Sequence, residues 1–413
     1  MYTTFINISY TDSIRNYYKK AYKDLYDNYN ITTINVTVDQ EWKTENINRY
    51  LTQIYKKKLD DVVDFLQNNT DTNKIYINTF EEWLTSDIHY IKKQVGQEYT
   101  PGYELFIDKA IERSIAYQNQ KEKIVPAFID GILETIVWQK SIPFPYIIKP
   151  THWVQSSGVA LIGNIDELQS YIDTHKKLEN RMQEKWLETD NYIIEEYIDG
   201  PMYTMTYFVD TKGNITLYGY DKIQTLHDRG INDFSLFSRS IDPLNPSMNK
   251  KIKAIAEITV EMFNIRNTFI YQDLKIDQNW KVKIIEINGR IGWFRLEMYD
   301  YAYNINMLRY TIPGYIPVPK YTKNIIAISL RPPKNNVKWL WINQSIRDKI
   351  LQIPSYKKST LLKKRIGNVI WFSKYWYTRV WSIILENDNY KQLTSDYEII
   401  TKHYKDILFY EQY

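Results

Sequence analysis

The sequence predicts a protein of mixed helices and strands, in which a small α/β domain comes first and strand hairpins with further helices follow. Three observations predict this class: a β-α-β-α-β order near the start, paired strands in hairpins further on, and a length of 413 residues. At about 100–200 residues per domain, this length indicates two to four domains. Hydrophobic residues make up 44% and charged residues 25%, a globular balance that argues against a fibre or a disordered chain.

The N-terminal region alternates strand and helix patterns. Residues Tyr2–Ile8 and Ile31–Val38 are rich in β-forming side chains, and Ser13–Asn28 between them has helical spacing. A second helix is expected over about Thr44–Gln67 and a third strand at Lys74–Ile77. This order predicts a parallel sheet. The sequence has no G-x-G-x-x-G, so a dinucleotide site of that type is not supported.

The middle of the chain predicts a helix, then a hairpin, then another helix. A helix is expected over Leu105–Gln120 and another near Gly131–Lys140. The strand Phe144–Pro150 and the apolar run Val159–Ile162 are separated by a Ser/Gly loop, which indicates a hairpin. A further helix is expected over Asp166–His175.

The following region is dominated by strands. Strands are expected at Tyr192–Tyr197, Tyr203–Val209, Ile215–Tyr220, Thr268–Ile276 and Val282–Ile287. The last two form a hairpin, and an amphipathic helix is expected before them over Asn249–Phe263.

Polar side chains on this last hairpin indicate a metal site. Glu286 and Asn288 lie two apart on a strand and so face the same way, and Asp273 can lie opposite them. Two carboxylates and an amide oxygen are hard ligands that suit Mg²⁺, and Arg290 beside them could hold a phosphate. The alternative interpretation is a solvent-facing polar edge of a sheet.

A second motif could bind an anion. Lys149 ends an apolar strand, and Ser156, Ser157 and Gly158 follow in the loop, where their backbone N–H groups could meet the same phosphate. The alternative is a lysine with a buried stem next to an ordinary hairpin turn. A third motif, Ile193–Ile198, is an apolar strand that could offer backbone groups to a purine edge, or could simply leave a sheet.

The order of these motifs resembles the ATP-grasp superfamily. The resemblance rests on the lysine strand, the Ser/Gly hairpin, Glu195-Glu196-Tyr197-Ile198-Asp199-Gly200, Asp273 and Glu286-x-Asn288-x-Arg290. Four further segments are similar to that family: Ile107-Asp108-Lys109, Val125-Pro126, Phe144–Pro150 and Asn264–Phe269. The likeness covers about residues 100–315.

The resemblance implies an ATP-grasp fold, in which two α+β subdomains hold ATP between them after an N-terminal Rossmann-like (pre-ATP-grasp) domain. The expected domains are 1–100 for the pre-ATP-grasp domain, 101–194 and 195–315 for the two ATP-grasp subdomains, and 316–413 for a basic, aromatic C-terminal extension. The second subdomain would carry the metal site, and the extension is expected to be helical.

The resemblance also implies roles for individual residues. Phosphates would be bound by Lys109, Lys149 and Lys222, under a lid of residues 151–158 that includes Ser156, Ser157 and Gly158. Adenine would contact Glu195, Glu196 and Ile198, two of them mostly through backbone. One or two Mg²⁺ (or Mn²⁺) would be bound by Asp273, Glu286 and Asn288. Catalytic contacts to the transferring phosphoryl group would come from Arg290, Lys149 and Lys222.

The implied activity is an ADP-forming, ATP-dependent ligation of a carboxylate to an amine through an acyl phosphate. The substrates would be small-molecule or peptide carboxylates and amines, with Arg295, and more weakly Arg239, as candidates for binding a substrate carboxylate. Each could instead be a surface arginine. Two departures from the family pattern are Met202, where many members place a ribose-binding acid, and a lid with His152 and Trp153 and only one glycine.

Some residue types and segments do not occur in the sequence, and this limits the chemistry and the cellular compartment that we expect for the protein. Cysteine is absent, which excludes disulfides, cysteine nucleophiles and Cys-ligated metals. The first residues lack a basic segment and an apolar core typical of a signal peptide, and no run of 18 apolar residues occurs. We therefore expect a cytoplasmic protein.

The C-terminal region suggests a second kind of partner. Residues 316–413 carry 17 basic and 7 acidic side chains, a net charge of +10, whereas the rest of the chain carries −6. Between Arg331 and Arg379 there are 12 basic residues and one acid, with Trp339, Trp341, Trp371, Phe372, Tyr375, Trp376 and Tyr377 interleaved. Such a stretch could bind nucleic acid or an anionic membrane surface. Alternatively, its aromatics form the core of the extension. A catalytically degenerate nucleotide-binding protein is a further alternative.

Overall fold

The structure is a computed structural model. It describes residues 3–9, 16–38, 43–49, 51–56, 58–137, 142–152, 156, 158–179, 191–241, 246–292, 295–315, 321–334, 336–363, 366–370 and 379–412. Within these ranges the strands form four sheets, of five, four, eight and three strands. None of the helices in these ranges is long and apolar enough to cross a membrane.

The first sheet has a parallel core. Its strands are β1 (Thr4–Ser9), β2 (Thr32–Thr37), β3 (Lys43–Asn48), β4 (Leu51–Tyr55) and β5 (Ile75–Thr79). The accompanying helices are α1 (Asn16–Tyr29), α2 (Leu59–Asn69) and α3 (Thr85–Gln94). In the order β3-β4-β2-β1-β5, β1 pairs in parallel with β2 and β5, and β2 pairs in parallel with β4. This is the α/β arrangement that the sequence predicts.

The helix expected over Thr44–Gln67 is wrong in its first half. Residues 43–55 form the antiparallel hairpin β3–β4, and the helix begins only at Leu59. Thr44, Ile47, Thr52 and Ile54 are β-branched, and such side chains favour strands. Strand β4 also pairs in parallel with β2. The local spacing of residues 44–67 does not reveal this pairing with another segment of the chain.

The second sheet forms one wall of the functional cleft. Its strands are β6 (Phe128–Ile132), β7 (Tyr146–Pro150), β8 (Ala160–Ile162) and β9 (Asn191–Glu196). The helices of this region are α4 (Lys109–Gln118), α5 (Leu133–Ile136) and α6 (Ile165–Glu179). The strand order is β6-β9-β7-β8, and the predicted hairpin of β7 and β8 is confirmed.

The third sheet forms the opposite wall. Its strands in spatial order are β14 (Val282–Asn288), β13 (Thr268–Ile276), β10 (Met202–Val209), β11 (Ile215–Thr225), β12 (Leu236–Ile241), β15 (Asn324–Leu330), β19 (Trp381–Asn387) and β17 (Tyr356–Leu361). Helices α7 (Pro246–Met262) and α8 (Arg295–Tyr303) accompany it. Side chains of α7 share a buried apolar cluster with β10, β13 and β14. The predicted hairpin of β13 and β14 is confirmed.

The expectation of a helical C-terminal extension is wrong. Among the residues described after position 316, the chain forms the strands β15, β17 and β19, a separate small sheet of three strands, and two α-helices. The remaining elements are β16 (Val337–Ile342), β18 (Val369–Ile370), β20 (Leu408–Gln412), α9 (Gln344–Gln352) and α10 (Tyr390–Lys402). Since β15 pairs with β12, this region continues the large sheet rather than forming a separate appendage.

Part of the aromatic content of this region is core. Trp339 is fully buried in a cluster with residues of β15, β19 and α9, whereas Trp341 is 42% exposed. Residues 371–377, which contain the other aromatics of the basic stretch, lie outside the described residues. The described part of this stretch therefore contains both core and surface aromatics.

A buried lysine joins the first sheet to the third. Lys92 of α3 is 1% exposed, and its Nζ donates to the carbonyl of Asn267 at 2.5 Å. The same Nζ lies 4.9 Å from the ring centroid of Tyr76. Burial lowers the pKa of Lys92 from 10.5 to about 7, because the charged ammonium is poorly solvated there.

Lys92 makes the stability of this junction depend on pH. Between about pH 7 and pH 10 the unfolded chain binds more protons than the folded protein, so stability rises with pH. We expect Lys92→Met to have the higher melting temperature below pH 7, with an advantage that shrinks towards pH 10. Thermal melts of both proteins from pH 6 to pH 10 measure this difference; a difference independent of pH would contradict it.

Candidate active site

A cleft of about 830 Å³, including space open to solvent, lies between the second and third sheets. The wall from the second sheet presents Ile147, Lys149, Glu195 and Glu196. The wall from the third sheet presents Met202, Asp273, Lys275 and Glu286. Lys109 at the start of α4, Ser156 and Ile198 also line it. Most of the sequence-predicted nucleotide and metal residues thus meet in one cavity.

Lys149 lies in this wall because it follows the apolar strand residues of β7. Its Nζ lies 2.6 Å from Oε2 of Glu195, whose Oε1 accepts a hydrogen bond of 2.8 Å from Nε of Arg113. Burial lowers the pKa of Lys149, and the negative charge of Glu195 opposes that shift. Burial alone would raise the pKa of Glu195, but Arg113 and Lys149 hold it below its usual value. The wall therefore presents an ammonium supported by a buried carboxylate.

The hairpin of β13 and β14 has the predicted geometry. Asp273 pairs directly with Glu286 across β13 and β14, and Tyr271 pairs with Asn288. Paired residues in an antiparallel ladder have their side chains on the same face, so the two carboxylates are neighbours. Nζ of Lys109 lies 3.1 Å from Oε1 of Glu286. One point of the sheet is therefore surrounded by four of the predicted polar residues: Asp273, Glu286, Asn288 and Lys109.

The donors fit a divalent cation. Burial raises the pKa of Asp273 to about 6; Arg295 opposes this shift, and the charge of Glu286 adds to it. A cation between the two carboxylates would relieve this repulsion. The described residues contain no group of three or more His, Asp or Glu that could hold a metal by themselves. Two carboxylates and the amide oxygen of Asn288 suit Mg²⁺, which keeps positions for water and phosphate oxygens.

The far end of the cleft is more apolar. Ile147, Ile198 and Met202 line it, and the carbonyl of Ile198 accepts a hydrogen bond of 2.9 Å from Nζ of Lys275. The side chain of Glu196 contacts Lys283 at 3.1 Å. Since Glu195 pairs with Lys149, the side chains of both glutamates contact protein cations.

Arg290 is bound by a residue that the sequence interpretation missed. Its Nη2 lies 2.5 Å from Oε2 of Glu82, and the guanidinium carbon lies 5.1 Å from the ring centroid of Tyr271. Glu82 lies three residues beyond the end of the parallel strand β5, and residues near the carboxyl ends of such strands commonly bind ligands. The position of Glu82 beyond the end of β5 is therefore the feature of the sequence that could have identified it as a site residue. The side chain of Arg290 is 3% exposed and reaches the first domain, rather than lining the described cleft wall.

Arg295 and Arg239 are buried, so their interpretation as surface arginines is wrong. They are 5% and 8% exposed. The guanidinium of Arg295 lies 4.0 Å from the ring centroid of Tyr271, and its Nη2 is 3.8 Å from Oδ1 of Asp273. Nε of Arg239 is 3.0 Å from Oδ2 of Asp221. Nε and Nη2 of Arg295 have no hydrogen-bond acceptor among the described residues, although Nε lies 4.0 Å from Oδ1 of Asp221.

Lys222 is not brought to the cleft. Asp221 pairs with Thr204, which in turn pairs with Asp273, so these three side chains share the cleft face of the sheet. Lys222 is the next residue along β11 and pairs with Tyr203. Lys222 therefore leaves the opposite face of the sheet, where it is exposed. The prediction of a phosphate contact from Lys222 is wrong because the register of β11 was not readable from the sequence.

The lid is described only in part. Ser156 lines the cleft with φ of 60°. Gly158 has φ of +72°, and its carbonyl accepts a hydrogen bond of 2.7 Å from the Tyr171 hydroxyl. Ser157 and residues 153–155, including Trp153, lie outside the described residues.

Comparison with known proteins agrees with this geometry. Residues 142–295 match the model of the ATP-grasp domain family, whereas a search of curated proteins found no match. Among solved structures, the chain is similar to L-amino acid ligase from Bacillus licheniformis, with a TM-score of 0.76 at 14% identity over 100% of this chain and 99% of that one. It is also similar to N5-carboxyaminoimidazole ribonucleotide synthetase from Thermotoga maritima, with a TM-score of 0.64 at 13% identity over 100% of both chains. The resemblance inferred from the motifs is thereby confirmed: this chain contains an ATP-grasp domain and has the ATP-grasp fold.

Proposed function

We propose that the protein is an ATP-dependent ligase that joins a carboxylate to an amine and forms ADP. One observation carries the proposal: Lys109 and Lys149 face the carboxylates of Asp273 and Glu286 in a single cleft. Cations suited to phosphate and acids suited to a divalent cation are the two halves of a site for a magnesium–nucleotide complex.

The nucleotide would lie along the cleft. Its adenine would occupy the apolar end between Ile147, Ile198 and Met202, and contact backbone atoms of residues 196–198. Its phosphates would lie between Lys109 and Lys149. This proposal is supported by a solved structure of similar fold, the biotin carboxylase domain of the Hydrogenobacter thermophilus 2-oxoglutarate carboxylase, which contains MgADP, ADP and bicarbonate (TM-score 0.62, 12% identity, 100% of this chain and 91% of that one).

Asp273, Glu286 and Asn288 would hold Mg²⁺, and Mn²⁺ would fit the same oxygen set. When bound, the ion neutralises charge on the phosphate oxygens during transfer. Lys149 would orient the phosphates and remain charged because Glu195 supports it. Lys109 would exchange part of its contact with Glu286 for a contact with phosphate.

The ligation would proceed in two steps. A substrate carboxylate oxygen attacks the γ-phosphorus, the bond to the β–γ bridging oxygen breaks, and ADP leaves with that electron pair. The amine then attacks the acyl carbon, phosphate leaves, and the nitrogen loses a proton. Arg295 would bind the carboxylate, because its Nη2 lies 3.8 Å from Oδ1 of Asp273 and makes no hydrogen bond within the described residues. Arg290 would stabilise the transferring phosphoryl group once it turns from Glu82.

Amino acids are the substrates to test first. The similarity of the whole chain to an L-amino acid ligase supports this choice, and so does a buried arginine able to bind a carboxylate. No observation on the described residues favours nucleic acid or a membrane surface as a partner of the C-terminal region.

The proposal is tested by measuring phosphate release from ATP with pooled L-amino acids, with and without Mg²⁺. We expect release that requires both Mg²⁺ and amino acids, and a mass-spectrometric product equal to two amino acids minus water. Binding of ATP without amino-acid-dependent release would instead indicate a degenerate nucleotide-binding protein. Absence of ATP binding would overturn the proposal.

A further inference from the structure

Two neighbouring charged residues of α4 are fully buried although neither lines the described cleft wall. Glu112 is 1% exposed and Arg113 is 0% exposed. Nη1 of Arg113 donates to Oε1 of Glu112, so the two form an ion pair between residues adjacent in sequence. Burying a charged pair is costly unless the remaining hydrogen-bonding atoms are also satisfied, and the partners of those atoms indicate what the pair does.

The remaining atoms of the pair bind the metal strand on both sides of Glu286. Nη2 of Arg113 donates to the carbonyl of Ile285 at 2.7 Å, and the backbone N–H of Ile287 donates to Oε2 of Glu112 at 3.2 Å. Strand β14 is the edge strand of the large sheet. Glu112 and Arg113 therefore form hydrogen bonds with backbone groups on the outer side of β14, where a neighbouring strand would otherwise pair.

The carbonyl held by Arg113 belongs to a bulge. Asp273 pairs with Glu286, but the next residue, Leu274, pairs with Ile284, so Ile285 is an extra residue in β14. A bulge bends its strand and changes the direction of adjacent side chains. The direction of the Glu286 carboxylate thus depends on a bulge whose carbonyl is bound by Arg113.

The same arginine also reaches the phosphate-facing lysine. Its Nε donates to Oε1 of Glu195 at 2.8 Å, and Oε2 of Glu195 contacts Nζ of Lys149 at 2.6 Å. A continuous chain of hydrogen bonds and ion pairs therefore runs from Lys149 on one wall of the cleft to the backbone around Glu286 on the other.

We propose that Glu112 and Arg113 are positioning residues that hold the Ile285 bulge, aim Glu286 at the metal and couple metal binding to phosphate binding at Lys149. This inference rests on the proposed function, since it requires that the cleft binds a magnesium–nucleotide complex. A purely structural pair would contribute to folding but would leave the effect of Mg²⁺ on nucleotide affinity unchanged.

The test measures the Kd of ADP by calorimetry with and without MgCl₂, in the wild type, Arg113→Lys and Glu112→Gln. Lysine keeps the charge but cannot span three acceptors, and glutamine keeps the shape but loses the charge. The relevant ratio is the Kd of ADP without MgCl₂ divided by the Kd with MgCl₂. This ratio should fall by about 10- to 100-fold in either variant, as for other partners of metal ligands. Arg49→Lys, at a side chain that is 72% exposed, is the matched control and should retain the wild-type ratio.

A second readout needs neither metal nor nucleotide. Amide hydrogen exchange in a peptide spanning Val282–Asn288 should be faster in Arg113→Lys than in Arg49→Lys, because the bulge loses a partner. An unchanged Kd ratio in both folded variants, with a normal response in the wild type, would overturn this inference alone. A wild type whose ADP affinity ignores Mg²⁺ would overturn it together with the proposed metal site. If Arg113→Lys does not fold, Glu112→Gln decides the question.

Discussion

Replacing Glu286 by glutamine is expected to lower Mg²⁺-dependent phosphate release by at least about 100-fold, since partners of metal ligands alone contribute 10- to 100-fold. The change keeps the shape of the side chain and removes one negative charge from the Asp273–Glu286 pair. Lys109 also loses the carboxylate that lies 3.1 Å from its Nζ. The loss should be only partly reversed by raising the Mg²⁺ concentration.

The matched control is Glu257→Gln, because the Glu257 side chain is 58% exposed on α7. It should release phosphate at the wild-type rate. Circular dichroism and melting temperature establish that both variants are folded. Turnover in Glu286→Gln close to that of the wild type would show that Asp273 and Glu286 do not form the metal site.

Replacing Lys149 by methionine is expected to weaken ADP binding by about 10- to 100-fold, which corresponds to the 1.5–3 kcal/mol of a charge-assisted hydrogen bond. The fold should tolerate the change because Glu195 keeps Arg113 as its partner. Lys222→Met is the informative comparison, since the sequence predicts a phosphate contact for both lysines and the structure places only Lys149 in the cleft. Equal losses in the two variants would contradict this placement.

The pairing of β13 with β14 was predictable from the sequence, because the residues that determine it are close together in the chain. Alternation along a strand placed Glu286 and Asn288 on one face, and a short turn at residues 277–281 brought Asp273 opposite Glu286. The order of motifs then identified the fold, since their sequence separations matched one architecture. The bulge at Ile285 was not predictable, because it depends on the buried partners of that backbone.

The C-terminal region shows where local patterns fail. Residues 324–330 and 381–387 are apolar strands, whereas the basic and aromatic composition between them is typical of a surface that binds polyanions. The position of β15 is set by pairing with β12, a strand more than 80 residues earlier in the chain, and β19 pairs in turn with β15. Composition carries no information about such long-range pairing, so a helical extension was predicted where the large sheet continues.

Buried charges are a second feature that the sequence does not reveal. Charged side chains are rarely fully buried, so nothing in the local sequence singles out Glu82, Glu112 or Arg113. They are buried here because each finds a charged or backbone partner on another domain or sheet. The same reasoning misjudged Arg239 and Arg295. Only the three-dimensional arrangement shows that these charges surround the hairpin of β13 and β14.

The central claim is that one cleft holds a divalent cation and nucleotide phosphates between facing walls. The most direct measurement is a crystal structure with ADP and Mn²⁺, in which anomalous scattering locates the ion. We expect the anomalous peak between Asp273 and Glu286, and the phosphates within hydrogen-bonding distance of Lys109 and Lys149. A peak or a nucleotide bound away from these four side chains would contradict the account.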